Sequence, residues 1–177
     1  MTSTELPVPR PAVLHQFVQS LISRPWPRSD AEQTVFFKEL GFEDVVIDER
    51  NDDEISVGGS MLIPVLASAT AFWTAFKHEL IGVSVFIYDS PGMAPRATKD
   101  AYAVLRAHFT DKFGTPTVDD PDTGSSLATV WAADGFLLQM YYSSHRARAF
   151  VQVGISHSGR TAIYETAVGA NIEASST

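Results

Sequence analysis

The 177-residue chain contains no cysteine. That removes disulfides, thiolate metal sites and cysteine nucleophiles together, and it agrees with a reducing compartment. Long apolar runs are also missing. The longest mostly apolar stretch, MLIPVLASATAFW at 61–73, falls short of the roughly 20 residues that a helix needs to cross a bilayer. Near the start, PAVLHQFVQSLIS is interrupted by His15, Gln16 and Gln19, so no export signal is expected and the location is read as cytoplasmic. Positive charge is scarce: 13 Lys and Arg stand against 21 Asp and Glu, for a net charge of -8. Such a chain repels nucleic acid and anionic lipid, which leaves a basic protein as the expected partner.

The motifs of familiar chemistry are absent too. The histidines, His15, His78, His108, His145 and His157, show neither the i, i+4 spacing nor the shared carboxylates of a zinc site. No GxSxG elbow marks a serine nucleophile. SVGGS at 56–60 lacks the lysine of a phosphate loop and the third glycine of a dinucleotide fingerprint, and reads as a tight turn. No catalytic, metal-binding or cofactor-binding residue is assigned, and the chain is not expected to be an enzyme.

What is present is enough for one core, with 45% of residues hydrophobic. Pro7, Pro9 and Pro11 make 1–11 an extended arm, 12–165 a single domain and 166–177 a flexible tail. Val13, Leu14, Phe17, Val18, Leu21 and Ile22 have helical spacing. A second helix is capped by Ser29 or Asp30, carries Val35, Phe36, Leu40 and Phe37 inward, and stops at Gly41. From residue 42 the period changes to two: FEDVVID, EISVG and SMLIPVL read as short strands. Over 68–78 Phe72, Trp73 and Phe76 suit a helix as well as a strand; the β-branched run Val83, Val85, Ile87 favours a hairpin. ATKDAYAVLRAHFTDKFG is the clearest helix, with Ala101, Val104, Leu105, His108, Phe109 and Phe113 on one stripe. After the polar loop TPTVDDPDTGSS, three strands follow, joined by Asp134-Gly135 and by SSHRA. The expected class is α+β: two N-terminal helices, a mostly antiparallel twisted sheet of about six to eight strands, and one long helix before the last three.

Two features are charged. His145, Arg146 and Arg148 fall at a hairpin tip, where a charged sheet edge discourages aggregation. DERNDDE at 48–54 and DDPD at 119–122 cluster carboxylates on loops. Asp48, Glu49, Asp52, Asp53, Glu54, Asp119, Asp120 and Asp122, with neighbouring Glu43 or Asp44, are the candidate partner-binding residues, because such a field steers a basic surface toward the sheet. Neither loop has the ligand order of a calcium site.

The two helices, the segment AYAVLRAHFTDKFGTP, and the closing strands ATVWAADGFLLQMYYSS and AFVQVGIS resemble a group of small actinobacterial cytoplasmic proteins over roughly 12–156. That group includes toxin-immunity proteins, among them the immunity factor of the mycobacterial necrotizing toxin, an NAD-cleaving secreted enzyme. The shared positions, Gly114, Pro116, Trp131 and Gly135, mark a fold and transfer no functional residue. The resemblance implies an antitoxin that binds a secreted toxin domain and occludes its active cleft. A chaperone for a secretion substrate is the alternative, which calls for an apolar groove or an exposed strand edge. A small-ligand-binding domain or enzyme is third.

Overall fold

A computed structural model of the chain describes residues 9–47, 56–66, 69–88, 95–120, 126–145 and 148–175. Helix α1 (Pro11–Ile22) starts on a proline, whose missing N–H is harmless in a first turn. Its Leu14, Phe17, Val18 and Leu21 are buried. Beyond it the Trp26 indole donates to the Leu21 carbonyl at 2.9 Å, folding the proline-rich linker back on the helix. Ser29 caps α2 (Asp30–Glu39) by accepting from the Glu32 N–H, and the Glu32 carboxylate accepts from the Arg28 N–H at 2.8 Å. Gly41, at φ 71°, ends α2.

Eight strands form one antiparallel sheet. They are β1 (Glu43–Ile47), β2 (Ser56–Ile63), β3 (Ala69–Phe76), β4 (Glu79–Ile87), β5 (Val118–Asp119), β6 (Ser126–Ala133), β7 (Phe136–His145) and β8 (Arg148–His157), in the order β1-β2-β3-β4-β8-β7-β6-β5. Helix α3 (Pro95–Phe113) connects the halves and α4 (Ser158–Ser175) follows β8. The fold is therefore α+β, with two N-terminal helices and one long helix before the last long strands. The hairpin expected over 68–88 is present as β3 and β4, turning through Lys77 and His78 at φ 50° and 70°. Asp134 and Gly135, at φ 49° and 83°, turn β6 into β7. The β7–β8 ladder closes on the His145–Arg148 pair, so the chain reverses where SSHRA was placed; Arg146 lies outside the described residues.

Several expectations are corrected. EISVG and SMLIPVL are not two strands parted by a glycine turn: Gly58 and Gly59 lie inside β2, paired with Thr74 and Trp73. A Cβ on Gly59 would sit 2.0 Å from the Val46 carbonyl oxygen and 2.7 Å from the Trp73 ring, so glycine is there for close approach rather than for turning. Val35 is 55% exposed, because Gln33, Phe36 and Phe37 set the inward arc of α2 and residue 35 is rotated about 100° from Phe36. In α3 the same geometry exposes Val104 and buries Tyr102, whose hydroxyl lies 2.6 Å from the Thr129 hydroxyl. The polar loop after α3 contains β5.

The two faces of the sheet differ. Met61, Trp73, Val83, Val85, Val153, Met140 and Trp131 point to an inner face covered by α1, α2 and α3, where Phe37 meets Trp73 at 6.0 Å and Phe109 meets Trp131 at 5.8 Å. The outer face carries the alternate residues. One row crosses it as Ser60, Phe72, Ser84, Gly154, Gln139 and Val130, and the next as Phe86, Gln152, Tyr141 and Ala128. Helix α4 touches this side near one end, where Tyr164 packs on Phe76 at 5.5 Å.

Arg160 anchors that end. Its guanidinium is buried and donates to the carbonyls of Pro27 at 2.7 Å, Leu80 at 2.8 Å and Trp26 at 3.0 Å, with Glu79 at 3.0 Å from Nε. One side chain from α4 thus joins the α1–α2 linker to the β3–β4 hairpin.

Candidate partner-binding surface

The sheet has two edges, and they are built differently. β5 is only two residues long, and its Asp119 is engaged by Arg106 from α3: Nε donates to Oδ1 at 3.0 Å and Nη2 to Oδ2. Thr129 adds a third donor at 3.2 Å. These contacts, the Arg106 hydrogen bond first, hold the Asp119 carboxyl below its usual range. That edge is short and charged, as protected edges are.

β1 is the opposite case. Among the described residues it pairs with β2 alone, and all five of its residues are exposed, including Val45 (42%), Val46 (52%) and Ile47 (64%). Three consecutive exposed β-branched residues are costly on a free edge unless something covers them. The strand is bent by a bulge between Glu43 and Val46, with Asp44 at φ 48°. Its inner side forms one wall of a groove of about 400 Å³, lined by Val45 and Ile47 together with Phe37, Phe42, Val57 and Trp73. Helix α2 supplies the facing wall, and Asp30, Lys38 and Asp44 stand at the groove. Asp30 Oδ2 lies 3.0 Å from His78 Nδ1. Gly59 lets Trp73 lie flat beneath β1, so the glycine that looked like a turn signal shapes the floor of the groove.

The expected acidic residues divide accordingly. Asp48, Glu49, Asp52, Asp53 and Glu54 lie outside the described residues, as does Asp122; in sequence the first five follow directly on β1. Glu43 and Asp44 are exposed on β1 itself. Asp119 is committed to Arg106, and Asp120 is exposed next to it with its N–H donated to the Ala128 carbonyl at 3.0 Å. Of the described candidates, Glu43 and Asp44 lie on β1 and Asp119 on β5, at opposite ends of the eight-stranded sheet.

Other titratable groups serve the fold. His15 and His108 meet edge-on at 5.7 Å between α1 and α3; burial, then His108 and Lys112, lowers the His15 pKa. Burial, then Arg160, does the same to His157, which packs against Trp26 and Phe136. Burial raises the pKa of Tyr88, whose hydroxyl donates to the Pro9 carbonyl at 2.8 Å and ties the start of α1 to the end of β4. Among the described residues no group of three His, Asp or Glu side chains is placed to hold a metal ion, and no helix is long and apolar enough to cross a membrane.

Sequence reasoning missed the β1 edge as a site because FEDVVID reads like any strand; its order in the sheet is decided by long-range pairing. The available signal was three β-branched residues in a row, where a strand with one solvated face should alternate. Comparison with family models, with curated proteins and with solved structures finds no match to this chain.

Proposed function

We propose that the chain is an immunity protein that binds a basic, secreted toxin domain inside the producing cell and occludes its active cleft. The observation that carries the reading is β1, an exposed apolar edge with Glu43 and Asp44 on it and five more carboxylates directly after it in sequence. An apolar strip supplies desolvated anchors, and surrounding carboxylates select a basic partner and speed its approach. Inhibition by occlusion requires no chemistry from the inhibitor, so no turnover of NAD or of ester substrates accompanies it. The test is co-expression with any toxin-like domain that a neighbouring gene encodes: the reading expects growth to be restored, and continued killing despite soluble expression of both chains contradicts it.

A second reading, a chaperone for a secretion substrate, is favoured by the free hydrogen-bonding edge of β1 and its groove, since an extended segment can add there as a further strand. It parts from the first in one respect. A chaperone binds its client before folding, so the folded toxin domain would remain active in its presence, whereas an immunity protein abolishes that activity.

A further inference from the structure

The outer face of the sheet is the other surface that asks for a partner. Across its two central rows, from β2 to β6, no side chain is charged, although the chain has 34 Lys, Arg, Asp and Glu residues. Solvated sheet faces ordinarily alternate apolar positions with charged ones. Here the outward positions are aromatics, small residues, Val130 and the neutral amides Gln139 and Gln152 instead. Phe72 is 42% exposed, and it meets Phe86 edge-on at 5.7 Å, which in turn meets Phe150 at 5.2 Å. Beside these rings lie the small residues Ser60, Ser84, Gly154 and Ala128.

We propose that a second copy of this chain seats on this face, so that two sheets pack face to face about a twofold axis. The choice of a second copy follows from charge. Each copy carries -8, and pairing through β1 would set Glu43 and Asp44 of one copy against the acidic stretch after Ile47 of the other. A basic partner brings the opposite charge to β1; the uncharged rows receive an equally acidic copy with less like-charge repulsion, the nearest carboxylates, Glu43 beside Leu62 and Asp120 beside Ala128, lying at their two ends. An isologous contact also needs a self-complementary surface, and a face that sets Phe72, Phe86 and Tyr141 among Ser60, Ser84, Gly154 and Ala128 supplies knobs and hollows to itself. Six neighbouring strands about 4.8 Å apart and about 20 Å long give a flat footprint of roughly 500 Å² per copy. The accessible area of a corrugated face exceeds its footprint, which brings it near the 600 to 1,000 Å² or so per partner of a stable interface. The dimer leaves both β1 edges at its ends free for the toxin domain, and it does not depend on the immunity reading.

Light scattering coupled to size exclusion, over a dilution series of the full chain, is the test. The wild type is expected at twice the 19.3 kDa chain mass. Ser84→Glu and, separately, Phe72→Lys place a charge on the face without touching the inner core and should each reduce the mass to that of one chain, with an unchanged far-ultraviolet circular dichroism spectrum. Should either variant lose that spectrum, Phe72→Ser, which removes a half-exposed ring and adds no charge, is expected to weaken the dimer at least tenfold with the fold retained. A monomeric wild type overturns the proposal. So does a dimer that survives all three substitutions, or one that falls apart with Ile47→Lys instead.

Discussion

Replacing Arg160 by methionine should cost about 3 to 5 kcal/mol of stability. The substitution keeps most of the aliphatic stem and removes every donor. Three main-chain carbonyls, of Trp26, Pro27 and Leu80, then lose a charged donor at 2.7 to 3.0 Å. Hydrogen bonds to charged groups contribute about 1.5 to 3 kcal/mol each, and leaving buried acceptors unpaired adds about 1 to 3 kcal/mol. The total is less than their sum, because Pro27 keeps the Leu80 N–H at 3.2 Å and because burying a guanidinium has its own desolvation cost. Glu79 adds little, since its side chain is 42% exposed. Urea unfolding followed by tryptophan fluorescence suits the question: Trp26 is at the clamp, and the slope m reports whether the transition stays two-state. For a domain of this size the loss corresponds to a melting temperature lower by roughly 10 °C. Arg160→Lys should recover only part of it, as one ammonium nitrogen cannot occupy the separate positions from which Nη1, Nη2 and Nε reach the three carbonyls and Glu79. A loss below about 1 kcal/mol for the methionine variant would refute the clamp and mean that packing alone seats α4.

Gly59→Ala should destabilise by about 2 to 3 kcal/mol, because its methyl must displace either a main-chain carbonyl or the Trp73 ring. It should also weaken toxin binding; full affinity in a folded variant would show that β1 is not the contact. Stability should fall between pH 7.5 and pH 5.5. Burial lowers the pKa of His15 and His157 in the folded chain, so below the ordinary value of about 6.5 the unfolded chain binds protons that the native one refuses, until the folded values are passed. His15→Gln with His157→Gln should flatten that window in pH-dependent urea melts, and an unchanged slope would assign it elsewhere. Neutralising Asp52, Asp53 and Glu54 together should slow toxin association at low salt, with most of the difference erased near 0.15 M, where the Debye length is about 8 Å. Asp119→Asn should not slow it, since Arg106 already balances that carboxylate. Surface plasmon resonance at two salt concentrations separates these outcomes.

Elements with a strong local signal were legible in the sequence. The Ser29 cap, the Gly41 stop and the Asp134-Gly135 turn depend on one or two residues and their own φ, and they appear where they were expected. Positions set by a neighbour were not. The glycine pair in β2 has the composition of a turn, and only the approach of Val46 and Trp73 explains it. The helical character of 158–175 was hidden because SGRTAIYETAVGANIEAS has a thin apolar stripe, and what holds its first turn is a polar side chain, Arg160, bonded to carbonyls more than 70 residues away. For the site, charge was legible and place was not: two acidic stretches look alike in sequence, yet one follows β1 in the chain and the other includes Asp119, already neutralised by Arg106.

The most direct test of the β1 account is amide hydrogen exchange across the chain, with and without a toxin domain that it neutralises in co-expression. The account predicts that the β1 amides pointing away from β2, fast in the free protein because β1 is a sheet edge, become protected in the complex while those of β5 are unchanged. Protection that falls on β5, Asp120 or α4, with β1 exchanging as before, would contradict it.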